Sequence, residues 1–241
     1  MQCEIIYIHH NAFVLRTDRR TFLFDYPEDE HLPEGAGDLV RRAVAGDDLV
    51  VFISHGHGDH CNGNLASVTS SASRVRYVIS DDVDELRPEA VPGNGETLLV
   101  EPDQVYEFGG MSVETLMSND LGVAFLVEDG GFRFFHGGDL AEWIWPGASS
   151  VEAAFTERFF REAMERARDF KPHVAFADVD PRLPNLAGGV KACRIIGAPV
   201  FVPMHTFGDV SALSVLAGES GQGRSRVFSY SGMGDSKQFH F

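Results

Sequence analysis

Apolar residues fall along this chain first in short blocks and later in a spaced pattern. The blocks CEIIYI (3–8), FVLRT (13–17) and TFLFDY (21–26) are rich in β-branched and aromatic residues and are separated by polar breaks, which predicts strands. DLVRRAVA (38–45) has a helical pattern and leads through GDD into a further strand, LVVFIS. Strands are also predicted at 75–79, 97–100, 104–108, 111–116, 122–128 and 131–136, with the turn signals PGNG, FGG and DGG between them. The first 140 residues therefore read as mostly meandering sheet.

After residue 148 the spacing changes. Val151, Ala154, Phe155, Phe159, Ala163, Ala167 and Phe170 recur every three to four positions, and Ser149 with Glu152 matches a capping box, so a helix over 149–170 is predicted with these residues facing the core. A strand (173–179), a helix (185–196), a strand (199–204), a helix (209–218) and strands near 225–229 and 237–241 follow. No linker, low-complexity tract or repeat divides the chain, which reads as one domain over residues 1–241.

Composition narrows the partners. A 44% apolar content is ordinary for a globular protein, and 20 Lys and Arg against 36 Asp and Glu give a net charge of −16. Phosphate neutralisation dominates nucleic-acid affinity, so nucleic acid and anionic membrane are excluded as partners and a small-molecule substrate is expected. The mixed-sign run REAMERARD (161–169) reads as a solvated helix face. No apolar run approaches a membrane span, and the first residues, MQCEIIYIHH, do not resemble a signal peptide, so a cytoplasmic protein is expected. Cys3, Cys61 and Cys193 fit neither a disulfide framework nor a thiolate zinc site and are expected as buried thiols. Oligomeric state is left open, a homo-oligomer included.

The densest chemistry lies in SHGHGDH (54–60). His55 and His57, two apart after a strand, point the same way in extended geometry and can share one ion; Asp59 and His60, beyond a glycine bend, reach a second. Zinc suits imidazole plus carboxylate. The competing reading is a solvated polar loop.

The motif H-x-H-x-D-H after a strand resembles the metallo-β-lactamase superfamily of metal-dependent hydrolases. The opening YIHHNAFVL and TFLFDY resembles its UlaG-like branch, FRFFHGGDL resembles the strand delivering the family's bridging aspartate, and PVFVPMH resembles the late strand ending in a ligand histidine. The resemblance implies an α/β fold, a four-layer αββα sandwich of two mixed sheets with helices on both outer faces. It implies two divalent ions, zinc foremost with manganese or iron as alternatives. His55 and His57 would bind the first, Asp59, His60 and His205 the second, and Asp139 both. The implied reaction is cleavage of an ester, lactone, thioester or phosphodiester by a hydroxide on the metal, oriented by Asp59.

One departure stands out. The family's third histidine for the first ion is missing, since no histidine lies between His60 and His136; Asp120 occupies the slot before Asp139. Either Asp120 replaces it, hardening the site toward iron or manganese, or NDLG is only a turn and water takes the position. His10, Asn11 and Asp25 are candidates for support or substrate contact, as are His136, Asp180 and Arg182; Asp25 is expected to hold a ligand histidine. The rival functions are a mononuclear iron oxidoreductase on the same fold and a non-catalytic metal sensor. A flavin-dependent diiron enzyme is disfavoured by the histidine at 57.

Overall fold

The computed structural model describes residues 1–220 and 225–241. The first sheet contains β1 (Gln2–His9), β2 (Ala12–Thr17), β3 (Thr21–Phe24), β4 (Asp48–Ile53), β5 (Arg74–Ser80) and β6 (Glu96–Val100). The second contains β7 (Val105–Phe108), β8 (Met111–Met117), β9 (Val123–Asp129), β10 (Phe132–His136), β11 (Val174–Asp178), β12 (Val200–Met204) and β13 (Arg226–Val227). The last strand, β14 (Ser236–His240), returns to the first sheet, giving the orders β14-β1-β2-β3-β4-β5-β6 and β13-β12-β11-β10-β9-β8-β7.

Both sheets are mixed. Residues 21–100 do not form the expected meander, because β3 to β6 pair in parallel. Parallel pairing requires crossovers, which α1 (Ala36–Ala43), α2 (Leu65–Val68) and α3 (Asp81–Leu86) provide. In the second sheet β7 to β10 are antiparallel, and β10 to β13 are parallel, joined through α4 (Ser150–Phe170), α5 (Gly189–Ile196) and α6 (Leu213–Ser220).

Three apolar clusters define four layers. Alternate residues of both sheets, including Phe13, Phe22, Phe24, Phe52, Phe125, Phe134 and Phe176, meet between the sheets. The opposite face of the first sheet packs on α1 to α3 through Val40, Leu65 and Val83. The opposite face of the second packs on α4 and α5 through Phe160, Met164, Ala167 and Ala192. The layers are those of an αββα sandwich.

Helix α4 has its predicted capping box, with the Ser149 hydroxyl accepting from the Glu152 N–H. Its buried face differs from the expected one: Phe160, Met164 and Ala167 are buried, while Val151 and Phe155 are 77% and 59% exposed. Only the second half of the helix lies over the sheet, so periodicity in its first half marks a solvent-facing apolar stripe. The three cysteines are buried free thiols.

Candidate metal centre

β1, β3, β4, β10, β11 and β12 all end at one rim of the sandwich, and each hands a polar residue to it: His10, Asp25, His55, Asp139, Asp180 and His205. Carboxyl ends of strands are where α/β sheets expose their loops for ligands. His10, Asp25 and His205 have φ of 54°, 35° and 61°, so three strands end in left-handed residues that are not glycine. Such strain persists only where surrounding contacts fix it, and it concentrates at functional sites.

Two groups of donor atoms form at the rim, each with its atoms within 4.8 Å of one another: His55, His57, Asp120 and Asp139, and His10, Asp59, His60 and His205. Asp139 touches both. Its Oδ1 is 3.1 Å from His60 Nε2, and its Oδ2 is 3.4 Å from His205 Nε2 and 3.8 Å from His55 Nε2. The Asn11 amide donates to the same Oδ1 at 3.4 Å.

Asp25 organises a histidine in each group. It is fully buried; its Oδ2 pairs with His60 Nδ1 at 3.0 Å and accepts from the Ser54 hydroxyl at 2.7 Å, while its Oδ1 accepts from the Ser54 N–H. Ser54 Oγ in turn lies 2.9 Å from His55 Nδ1. With its hydroxyl proton on Asp25, Ser54 accepts from His55, so the network assigns both imidazoles an Nδ1 proton and leaves Nε2 as the atom each turns toward Asp139. Asp180, also fully buried, plays this part for His205, at 3.3 Å from its Nδ1.

Two glycines let the loops close. At Gly122 (φ +64°) a Cβ would lie 2.1 Å from the Ser54 carbonyl oxygen, and at Gly138 (φ +53°) 2.7 Å from the Ser54 Cβ. The Asp120 and Asp139 loops therefore press onto the turn that carries His55, and the Asn119 amide clamps them together through both backbone groups of Ala141. This brings Asp120 Oδ2 to 3.6 Å from His57 Nδ1. NDLG is a turn, and its geometry also delivers a carboxylate.

The donor chemistry fits divalent ions. Buried Nε2 atoms of His10 and His60 have no directed hydrogen bond among the described residues, although each faces a carboxylate, Asp59 Oδ2 lying 3.5 Å from His10. Burial, and then a like-charged neighbour (His205 beside His10, His60 beside His55), pushes both His10 and His55 down to about 3, so both rings are neutral; His55 is left with Nε2 for a metal, whereas the Phe207 N–H donates to His10 Nδ1 and so places the His10 proton on Nε2, toward Asp59. At His205 burial acts downward, but the charges of Asp139 and Asp178 and hydrogen bonds to Asp139 and Asp180 carry it up to about 10. His60 is raised in the same way by Asp139 and Asp25. In the absence of an ion, protons balance these carboxylates.

The remaining candidates fall behind or beside the donors. His136 is fully buried, stacked on Phe24 at 4.7 Å, and does not line the pocket, which removes the substrate contact expected of it. Asp180 supports His205 from within instead of lining the mouth. His10, a candidate for support or substrate contact, stands within reach of the second donor group. Sequence reading missed Ser54, Trp143 and Phe207. The residue preceding H-x-H was the available signal for Ser54; nothing local marked the other two.

Comparisons agree with this architecture. A family profile described as a beta-lactamase superfamily domain matches residues 4–146, more than half of the chain. The chain belongs to this superfamily. No curated protein matches it. Among solved structures, a novel metallo hydrolase from the hyperthermophilic archaeon Ignicoccus hospitalis superposes with a TM-score of 0.64 at 15% identity, covering 100% of both chains. A metallo-beta-lactamase fold protein from Bacillus subtilis gives 0.65 at 11% identity over 99% of each. The diiron beta-hydroxylase CmlA from Streptomyces venezuelae gives 0.55 at 11% identity, covering 99% of this chain and 54% of its own. These likenesses establish a shared fold. Superfamily membership implies divalent metal binding, for which the two donor groups are candidates.

Proposed function

We propose that this superfamily member is a metal-dependent hydrolase of the UlaG-like branch, acting on a small-molecule ester, lactone, thioester or phosphodiester through a binuclear centre. The observation that carries this reading is Asp139, one carboxylate within reach of histidines from both donor groups, beneath a pocket of about 390 Å³. His55, His57, Asp120 and Asp139 would hold one ion, and Asp59, His60, His205 and Asp139 the other, with His10 turning its Nε2–H toward Asp59 and zinc the first candidate. Divalent ions there supply Lewis acidity and lower the pKa of water.

The chain's own residues would do the rest. Burial drives Asp59 upward, but the His10 N–H facing it at 3.5 Å and the charge of His60 hold it well below the usual carboxylate range. Asp59 therefore stays ionised and can orient a water by accepting a hydrogen bond from it. Asp139, Asp59 and His205 form the pocket floor, and Trp143 and Trp145 line its wall.

A second reading rests on Asp120. A carboxylate in the first group makes it harder than an all-histidine site, which favours iron or manganese and opens oxidative chemistry on the same frame. One experiment separates the two: metal content of protein purified without added metal, followed by assays of aryl esters, lactones and bis(p-nitrophenyl) phosphate with zinc or manganese, and of oxygen uptake with iron. Hydrolysis with two ions bound supports the first reading. Iron-dependent oxygen uptake without hydrolysis overturns it, and tight metal binding with neither activity leaves a sensor.

A further inference from the structure

We propose that Arg182 is the substrate's anion anchor, so that the molecule cleaved carries a carboxylate or phosphate group on an apolar, planar body. This rests on the hydrolase reading and names its substrate class. The pocket is lined by Asp59, Asp120 and Asp139 near the donors and by Trp143, Trp145, Arg182 and Phe207 toward the mouth. Arg182 is the one lysine or arginine among its lining residues, in a chain of net charge −16.

Its guanidinium is held on one side and free on the other. Nε donates to Asp180 Oδ1 at 2.9 Å and Oδ2 at 3.0 Å, and Nη2 also pairs with Oδ2. The plane lies over Phe207, 4.4 Å from the ring centre, with Trp145 at 5.6 Å. Nη1 has no hydrogen-bond partner among the described residues, and the side chain remains 51% exposed. Neutralising Asp180 needs only the anchored edge. The ring contacts fix the plane, so the entropy of ordering this long side chain is spent before any ligand arrives.

The aromatic rings are the second observation. Trp145 and Phe207 are 47% and 41% exposed, and the Trp143 and Trp145 ring planes lie within 7° of each other. Trp143 is fixed by its indole N–H donating to the Asp139 carbonyl. Large aromatic surface left open beside a fixed cation suits a ligand with an apolar body and an anionic end. Carboxylate and phosphate share the charge and oxygen geometry that the free edge accepts.

The chain's 2 tryptophans both line this pocket, so intrinsic fluorescence reports on it directly. Zinc-loaded protein is titrated with phenylacetate, phenyl phosphate and the neutral isostere phenylacetamide, with inorganic phosphate as the bare-anion arm. The stronger of the two aromatic anions binds about tenfold or more tightly than the amide, the order of one charge-assisted hydrogen bond. In Arg182→Gln that advantage falls to within about twofold, and Arg182→Lys keeps part of it. The better anion identifies the group carried by the substrate. Equal binding of anion and amide by the parent protein overturns the proposal, whatever becomes of the variants. An unreduced advantage in an Arg182→Gln protein with full metal content overturns it too, since the metals alone would then hold the anion. Binding is read without turnover: Arg182-dependent anion binding without hydrolysis defeats only the hydrolase reading, and hydrolysis without that dependence defeats only the anchor.

Discussion

In the group of His10, Asp59, His60 and His205 the imidazole side chains are no more than 4% exposed, whereas the His57 and Asp120 side chains of the other group are 52% and 41% exposed. The buried group is held from behind, by Asp25 on His60, by Asp180 on His205, and by the Phe207 N–H on His10 at 3.3 Å. Of the histidines in the other group, His55 is held in this way, through Ser54. The cost differs accordingly. Buried carboxylates demand protons at His60 and His205 when no ion is bound, while in the other group partial burial and the charge of Asp139 raise Asp120. A preorganised half and a looser half thus share Asp139, and metal loading should distinguish them.

The largest effect is expected from the shared residue. Asp139→Ala should remove tight binding at both sites and lower hydrolysis by on the order of 10³-fold, the several kcal/mol a positioned ion contributes; metal content and kcat check it together. Retention of one tight ion would show that the groups are independent. Asp25→Asn comes next. It disturbs the proton placement on His60 and, through Ser54, on His55, and should weaken metal affinity about 10- to 100-fold in both groups. A loss confined to one group would break the view of Asp25 as common support.

Asp120→Ala should sharpen the contrast. About tenfold weaker binding is expected at the first site alone, because a half-exposed ligand contributes less than a buried, braced one; competition with a chromogenic chelator resolves the two sites. Unchanged affinity at both would return NDLG to a plain turn.

The smallest effect concerns pH. His205 is raised to about 10, so its protonated form stabilises the metal-free fold fully below its ordinary value of 6.5, and that contribution is lost as pH rises through about 10. The Tm of metal-free protein should fall across this window, more steeply than that of His205→Gln. Metal uptake near pH 7 should release protons, measurable by calorimetry in buffers of different ionisation enthalpy.

Much of the frame was legible locally. Short, nearly continuous apolar blocks located the strands, because a sheet covered on both faces buries successive residues. Strand partnership was not legible: TFLFDY and LVVFIS look alike whether paired in parallel or antiparallel, so the meander expectation failed where β3 to β6 run parallel. The capping box of α4 was readable from Ser149 and Glu152, while its buried face was not, because periodicity gives an apolar stripe without saying what lies under it.

The site divides along the same line. His55, His57, Asp59 and His60 are neighbours in sequence, so their spacing alone brings their donors to one rim. What stands behind or opposite them comes from strands far apart in the chain: Asp25 behind His60, Asp120 beside His57, Arg182 over Phe207. Only the packing of two sheets, closed by glycines that permit backbone contact at Ser54, set those distances, because loop closure between remote strand ends is a property of the whole sandwich and of no segment within it.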